Sequence, residues 1–115
     1  MTTMAADATG TQLRRGALEL AVLAVIGRAP SYGGEIVETL AGLPGLDTGA
    51  GTVYPLLSRF HRAGWVETTW QESPAGPPRK YYALSRAGRA QLRGRTEAWR
   101  QLAGTMTTLL GEGRP

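Results

Sequence analysis

At 115 residues the chain has the length of one domain, and the absence of cysteine excludes a disulfide framework, a thiolate zinc site and a cysteine nucleophile. Its longest apolar run, Leu20 to Ile26, is far short of the roughly 20 residues that span a bilayer, and its polar first residues lack the basic start and apolar core of a secretion signal, so a cytoplasmic protein is expected. The net charge of +4 is unevenly placed: residues 1–50 hold three Arg against five acids, whereas residues 51–100 hold nine Lys or Arg against three, either a footprint for a polyanion or a solvated basic surface.

Residues 1–12 read as a flexible tail. From Leu13 the apolar positions Leu13, Ala17, Leu20, Ala21, Ala24 and Val25 follow helical spacing. Leu18, Val22, Leu23 and Ile26 widen the stripe around most of the girth, which predicts a helix at the centre of the domain, ended by Gly27 and Pro30. Ser31 is the expected N-cap of a second helix reaching about Ala41, with Tyr32, Ile36, Val37 and Leu40 on one face. From that cap Glu35 falls one position too late for a capping box.

A third helix is predicted from the i, i+3, i+4, i+7 spacing of Val53, Leu56, Leu57 and Phe60. Pro55 leaves two starting points open. With Thr52 as N-cap the proline lies in the first turn at little cost; with a start at Gly49 it lies deeper and distorts the helix. The opposite face presents Thr52, Tyr54, Pro55, Ser58, Arg59 and Arg62. After Ala63-Gly64, the runs Trp65–Trp70 and Lys80–Leu84 read as two strands of a hairpin. Between them nine residues with three prolines form a stiffened loop that pushes Arg79 and Lys80 outward. Ser85 then caps a long last helix to about Leu110, in which Leu92, Trp99, Leu102, Met106 and Leu109 form a narrow seam of coiled-coil type. A domain this small has nothing left to bury that seam against, which predicts a homodimer.

These elements resemble the PadR family of bacterial transcriptional regulators. Leu13-Arg14-Arg15-Gly16-Ala17-Leu18-Glu19 is similar to the family's opening helix, and Tyr32-Gly33-Gly34-Glu35-Ile36 to its tyrosine-glycine signature. Gly51-Thr52-Val53-Tyr54-Pro55-Leu56-Leu57 resembles its recognition helix. Gly64-Trp65-Val66 and Gly76 to Ser85 resemble its wing, with Gly88 as the glycine that follows. The similarity covers about Leu13 to Leu92. Gly34, His61 and Ser85 depart from the common pattern, where a bulkier residue, an acid and a threonine are usual. The single C-terminal helix resembles the short branch of the family.

The resemblance implies a mostly α fold with a small β-hairpin. A winged helix-turn-helix would occupy residues 13–84, a dimerisation helix residues 85–110 and a tail residues 111–115. It implies a homodimeric repressor on double-stranded DNA with an inverted-repeat operator, in a nucleoid-associated cytoplasmic setting, without cofactor or metal. Thr52, Tyr54, Pro55, Ser58, Arg59 and Arg62 would face DNA from the helix, Arg79 and Lys80 from the wing, and Arg14 and Arg15 from the first helix. Each has a plainer alternative: Thr52 as a cap, Tyr54 packed on the first helix, Arg59 and Arg62 solvated or in an intradomain ion pair. Trp99 would stack a small aromatic effector between subunits or serve as interface core, while Trp65 and Trp70 pack the wing strands. A lone His61 with no cysteine and no paired carboxylates offers an enzyme little chemistry. The remaining rival is a winged-helix adaptor that binds protein instead of DNA.

Overall fold

A computed structural model of the chain describes residues 2–111. In chain order it holds α1 (Thr2–Arg28), β1 (Ser31–Tyr32), α2 (Gly33–Ala41), α3 (Ala50–Arg62), β2 (Val66–Ser73), β3 (Gly76–Leu84) and α4 (Arg86–Leu110). Helices dominate, and a three-stranded antiparallel sheet in the order β1-β3-β2 completes a winged helix-turn-helix.

The core is built where the three apolar stripes meet. Val22, Leu23 and Ile26 of α1, Ile36 and Leu40 of α2, and Val53, Leu57 and Phe60 of α3 are all buried, and Val66, Tyr82 and Leu84 close it from the sheet. Burying side chains of this size contributes about 1.5–3 kcal/mol each. That packing fixes α3 with its other face outward.

Four local features differ from the sequence reading. Helix α1 begins at Thr2, so it takes in residues that read as a tail. No proline interrupts the chain before Pro30, and alanine-rich sequence continues a helix readily. Gly27 lies inside α1 instead of ending it: a Cβ there would fall 2.8 Å from Leu92 Cδ2, so the glycine lets α4 approach. Ser31 is no helix cap, because it sits in β1, pairing with Tyr82, and its hydroxyl donates to the Ala29 carbonyl (2.9 Å). With Tyr32 as N-cap, the Glu35 carboxylate does accept from the Tyr32 N–H (3.4 Å).

The wing differs most. Its strands extend to the pair Ser73–Gly76, leaving only Pro74 and Ala75 at the tip in place of the nine-residue loop. Between the pairs Gln71–Arg79 and Ser73–Gly76, the two prolines Pro77 and Pro78 face Glu72 alone. This β-bulge accommodates them, since proline has no N–H to give the ladder.

Helix α4 starts where Ser85 was expected to cap it: its hydroxyl accepts from the Gly88 N–H (3.1 Å) and donates to the Gly64 carbonyl (2.6 Å). The helix closes at Gly111, whose positive φ of 70° suits glycine. Of the expected tail, residues 112–115 lie outside the described residues.

Candidate nucleic-acid interface

Helix α3 is the second helix of the helix-turn-helix. Gly49 is its N-cap, and the N–H groups of Thr52 and Val53 both donate to the Gly49 carbonyl at 3.1 Å. The deeper start for Pro55 therefore holds: it is the sixth helical residue and leaves the Gly51 carbonyl without its ordinary helical donor. At the other end Trp65 N–H donates to Phe60 (2.9 Å) and Gly64 N–H to His61 (3.0 Å), with Gly64 at φ 80°. The Phe60 and Trp65 rings meet across that turn, 5.4 Å apart, which completes a Schellman stop.

Thr52, Tyr54, Pro55, Ser58, Arg59 and Arg62 are all exposed on α3. They do not share one environment. Tyr54 lies over Gly33 at the start of α2, where a Cβ would come within about 2.5 Å of its ring, and remains 45% exposed. It packs on α2, not on the first helix. Together with Tyr32, Trp70, Arg79, Lys80 and Tyr82 it lines a cleft of about 320 Å³ between α3 and the wing. The Arg79 guanidinium sits over the Tyr32 ring (4.4 Å) and the Lys80 ammonium near the Tyr82 ring (5.7 Å). Burial, and secondarily a charge on Tyr54, raises the Tyr82 phenol above its ordinary pKa.

Arg59 points to the other flank. It pairs with Glu19 of α1 at 2.5 Å, the intradomain alternative, and borders a recess of about 370 Å³ with Arg14, Arg15, Thr48 and Thr52. Arg15 is exposed, whereas the Arg14 Nε is buried with no hydrogen-bond partner among the described residues. Arg62 is exposed and enters no ion pair among the described residues.

The seam of α4 divides in two. Leu92 is half-buried against the chain's own core, where the close approach at Gly27 brings it. Trp99, Leu102, Met106 and Leu109 are between 41% and 74% exposed. Trp99 also lines a mostly apolar cleft of about 580 Å³ with Leu13, Ala17 and Leu20 of α1 and Leu46.

Sequence reasoning missed Tyr32, Trp70 and Tyr82. Trp70 is 67% exposed instead of packing the wing, while Trp65 is held between Phe60 and the Arg95 guanidinium (5.0 Å). The strand alternation that puts Trp70 beside Lys80 was present, but reading it needs the register. Among the described residues no cluster of His, Asp or Glu could hold a metal, and no helix is long and apolar enough to cross a membrane.

Residues 22–94 match the transcriptional regulator PadR-like family. Among solved structures, a Streptococcus transcriptional regulator is 36% identical, covering 85% of this chain and 96% of its own, with a TM-score of 0.77. A PadR-like transcriptional regulator from Bacillus cereus is 32% identical over 90% of this chain and 99% of its own, TM-score 0.80. A PadR family regulator from Eggerthella lenta is 31% identical over 97% of both, TM-score 0.81. No curated protein matches.

Proposed function

The chain belongs to the PadR-like family of transcriptional regulators, and from that premise we propose that this DNA-binding regulator acts as a homodimeric repressor released by a small planar aromatic effector. The observation that carries the reading is the joint surface of α3 and wing, where Tyr54, Arg79 and Lys80 border one cleft. Helix α3 enters the major groove, with Thr52, Tyr54, Pro55, Ser58 and Arg62 toward the base edges and phosphates. Arg79 and Lys80 meet flanking backbone or minor groove, and Arg14 and Arg15 the phosphates beside α1. Arg59 belongs to the same helix but starts from its pair with Glu19.

Pairing through Trp99, Leu102, Met106 and Leu109 relates two α3 helices by a two-fold axis. The operator is then an inverted repeat with half-site centres about 10 bp, or a multiple, apart. An aromatic molecule against Trp99 would favour one spacing of the two subunits and so change DNA affinity. Mobility shift at low salt, with the DNA upstream of the chain's own gene, tests the proposal. A salt-sensitive shift is expected, released by a planar aromatic compound for wild type but not for Trp99→Ala. No shift at low salt would sink the DNA-binding reading and leave the adaptor.

A further inference from the structure

Both salt bridges among the described residues converge on one carboxylate. Glu19 of α1 pairs through Oε2 with Arg59 of α3 (2.5 Å) and through Oε1 with Arg95 of α4 (2.9 Å). Arg95 is itself held, by the Gln91 side chain (3.1 Å) and by the Trp65 ring beneath its guanidinium (5.0 Å). The Glu19 side chain is 21% exposed and the Arg59 side chain 51%, so the acid is set in the domain while the base stands at its rim. No acidic residue occurs in α3 itself.

A guanidinium that already holds a carboxylate gains little by exchanging it for a phosphate. The exchange also leaves the carboxylate, two-thirds or more covered, with a weaker set of partners. From this arrangement we infer that Glu19 is a specificity-setting residue: it occupies Arg59 and keeps that arginine from binding the phosphates of any duplex the regulator meets. The inference rests on the DNA-binding reading and deepens it. Affinity for arbitrary sequence comes from phosphates neutralised by Lys and Arg. Removing one arginine from that pool lowers non-specific binding, while Arg62, Arg79 and Lys80 stay available. Arg95 acts through Glu19 by fixing its orientation, so α4 is linked ionically to the recognition helix by way of α1.

The test uses a random-sequence duplex, with affinity measured by fluorescence anisotropy between 50 and 200 mM salt. Wild type is compared with Glu19→Gln, Arg59→Ala and the double variant. Glu19→Gln is expected to bind tighter at low salt and to lose about 3–4-fold more affinity than wild type across that range, the salt response of one added phosphate contact. Arg59→Ala is expected to stay within about twofold of wild type, and the double variant to match it. Should Glu19→Gln fail to fold, Glu19→Asp draws the charge back from Arg59 and serves the same comparison.

Three results would overturn the inference while leaving the DNA-binding reading intact. One is equal salt slopes for wild type and Glu19→Gln. Another is clear weakening by Arg59→Ala alone, which would put Arg59 on phosphate already. The third is a gain that survives in the double variant, which would show that Glu19 acts by its charge and not through Arg59. If no variant binds any duplex at 50 mM, both readings fall together.

Discussion

Two glycines define what this chain tolerates at single positions. A Cβ on Gly88 would stand 1.9 Å from the Trp65 carbonyl oxygen, a backbone atom of the turn joining α3 to the wing. Gly88→Ala must therefore push α4 away from that turn and strain the Ser85 cap. A loss of about 3 kcal/mol or more is expected, read as a lowered Tm in thermal denaturation. At Gly33 the obstructing atoms belong to the mobile end of the Tyr54 side chain, so crowding there displaces the ring and reshapes the cleft instead. Gly34 is different again. It is exposed, and a Cβ would make ordinary contact with the Tyr32 ring at 3.4 Å, so the space at this position does not require glycine. Neither the Gly33 nor the Gly88 contact could be read from sequence, since each joins residues about 20 positions apart that only folding brings together.

Among the elements, β3 carries the most consequence. It is the central strand, and it presents Tyr82 inward between β1 and β2. Burial first, then a charge on Tyr54, disfavours the Tyr82 phenolate, so the folded chain keeps that proton to a higher pH than the unfolded chain does. The sign follows: this contribution is complete below the ordinary tyrosine value of 10.0 and is lost as pH rises from there through the raised value. Denaturation followed across that alkaline range should show stability falling in wild type, with a shallower fall in Tyr82→Phe. An equal fall in both would mean that Tyr82 is not the linked group. In α3, periodicity disclosed the buried face of Val53, Leu57 and Phe60 correctly, but left its start open between Gly49 and Thr52. Side-chain periodicity is indifferent to where the backbone bonds begin. The wing strands were placed but drawn too short, because a proline pair reads as loop until a bulge is seen to absorb it.

The molecule as a whole is elongated, about 52 Å in its longest dimension, and α4, at 25 residues, is about 37 Å long. Its second half exposes large apolar side chains among the described residues: Leu102 is 56% and Leu109 74% exposed. Leaving such a stripe in water sacrifices about 25 cal/mol for each Å² of apolar surface, which a second copy would recover. Light scattering is expected to give a dimer mass for wild type and a monomer mass for Leu102→Asp or Met106→Asp. A wild-type monomer would remove the two-fold operator from the proposal. The same helix meets α1 through Glu19 and Arg95, so the pairing surface and the recognition helix share one ionic junction.

By itself the sequence determined the local and the periodic: the core stripes of α1, α2 and α3, the Ser85 cap, the stop at Gly64, and the outward face of α3 with its basic residues. These depend on residue type and spacing over a few turns, where backbone geometry is nearly universal. Tertiary structure alone decided which of the exposed residues act together. It joined Tyr54 to Arg79 and Lys80, turned Leu92 inward and left Trp99 at an open cleft. It also tied Arg59 to an acid 40 positions earlier in the chain. Charge pairing and close approach depend on distance in space, and a sequence records only distance along the chain.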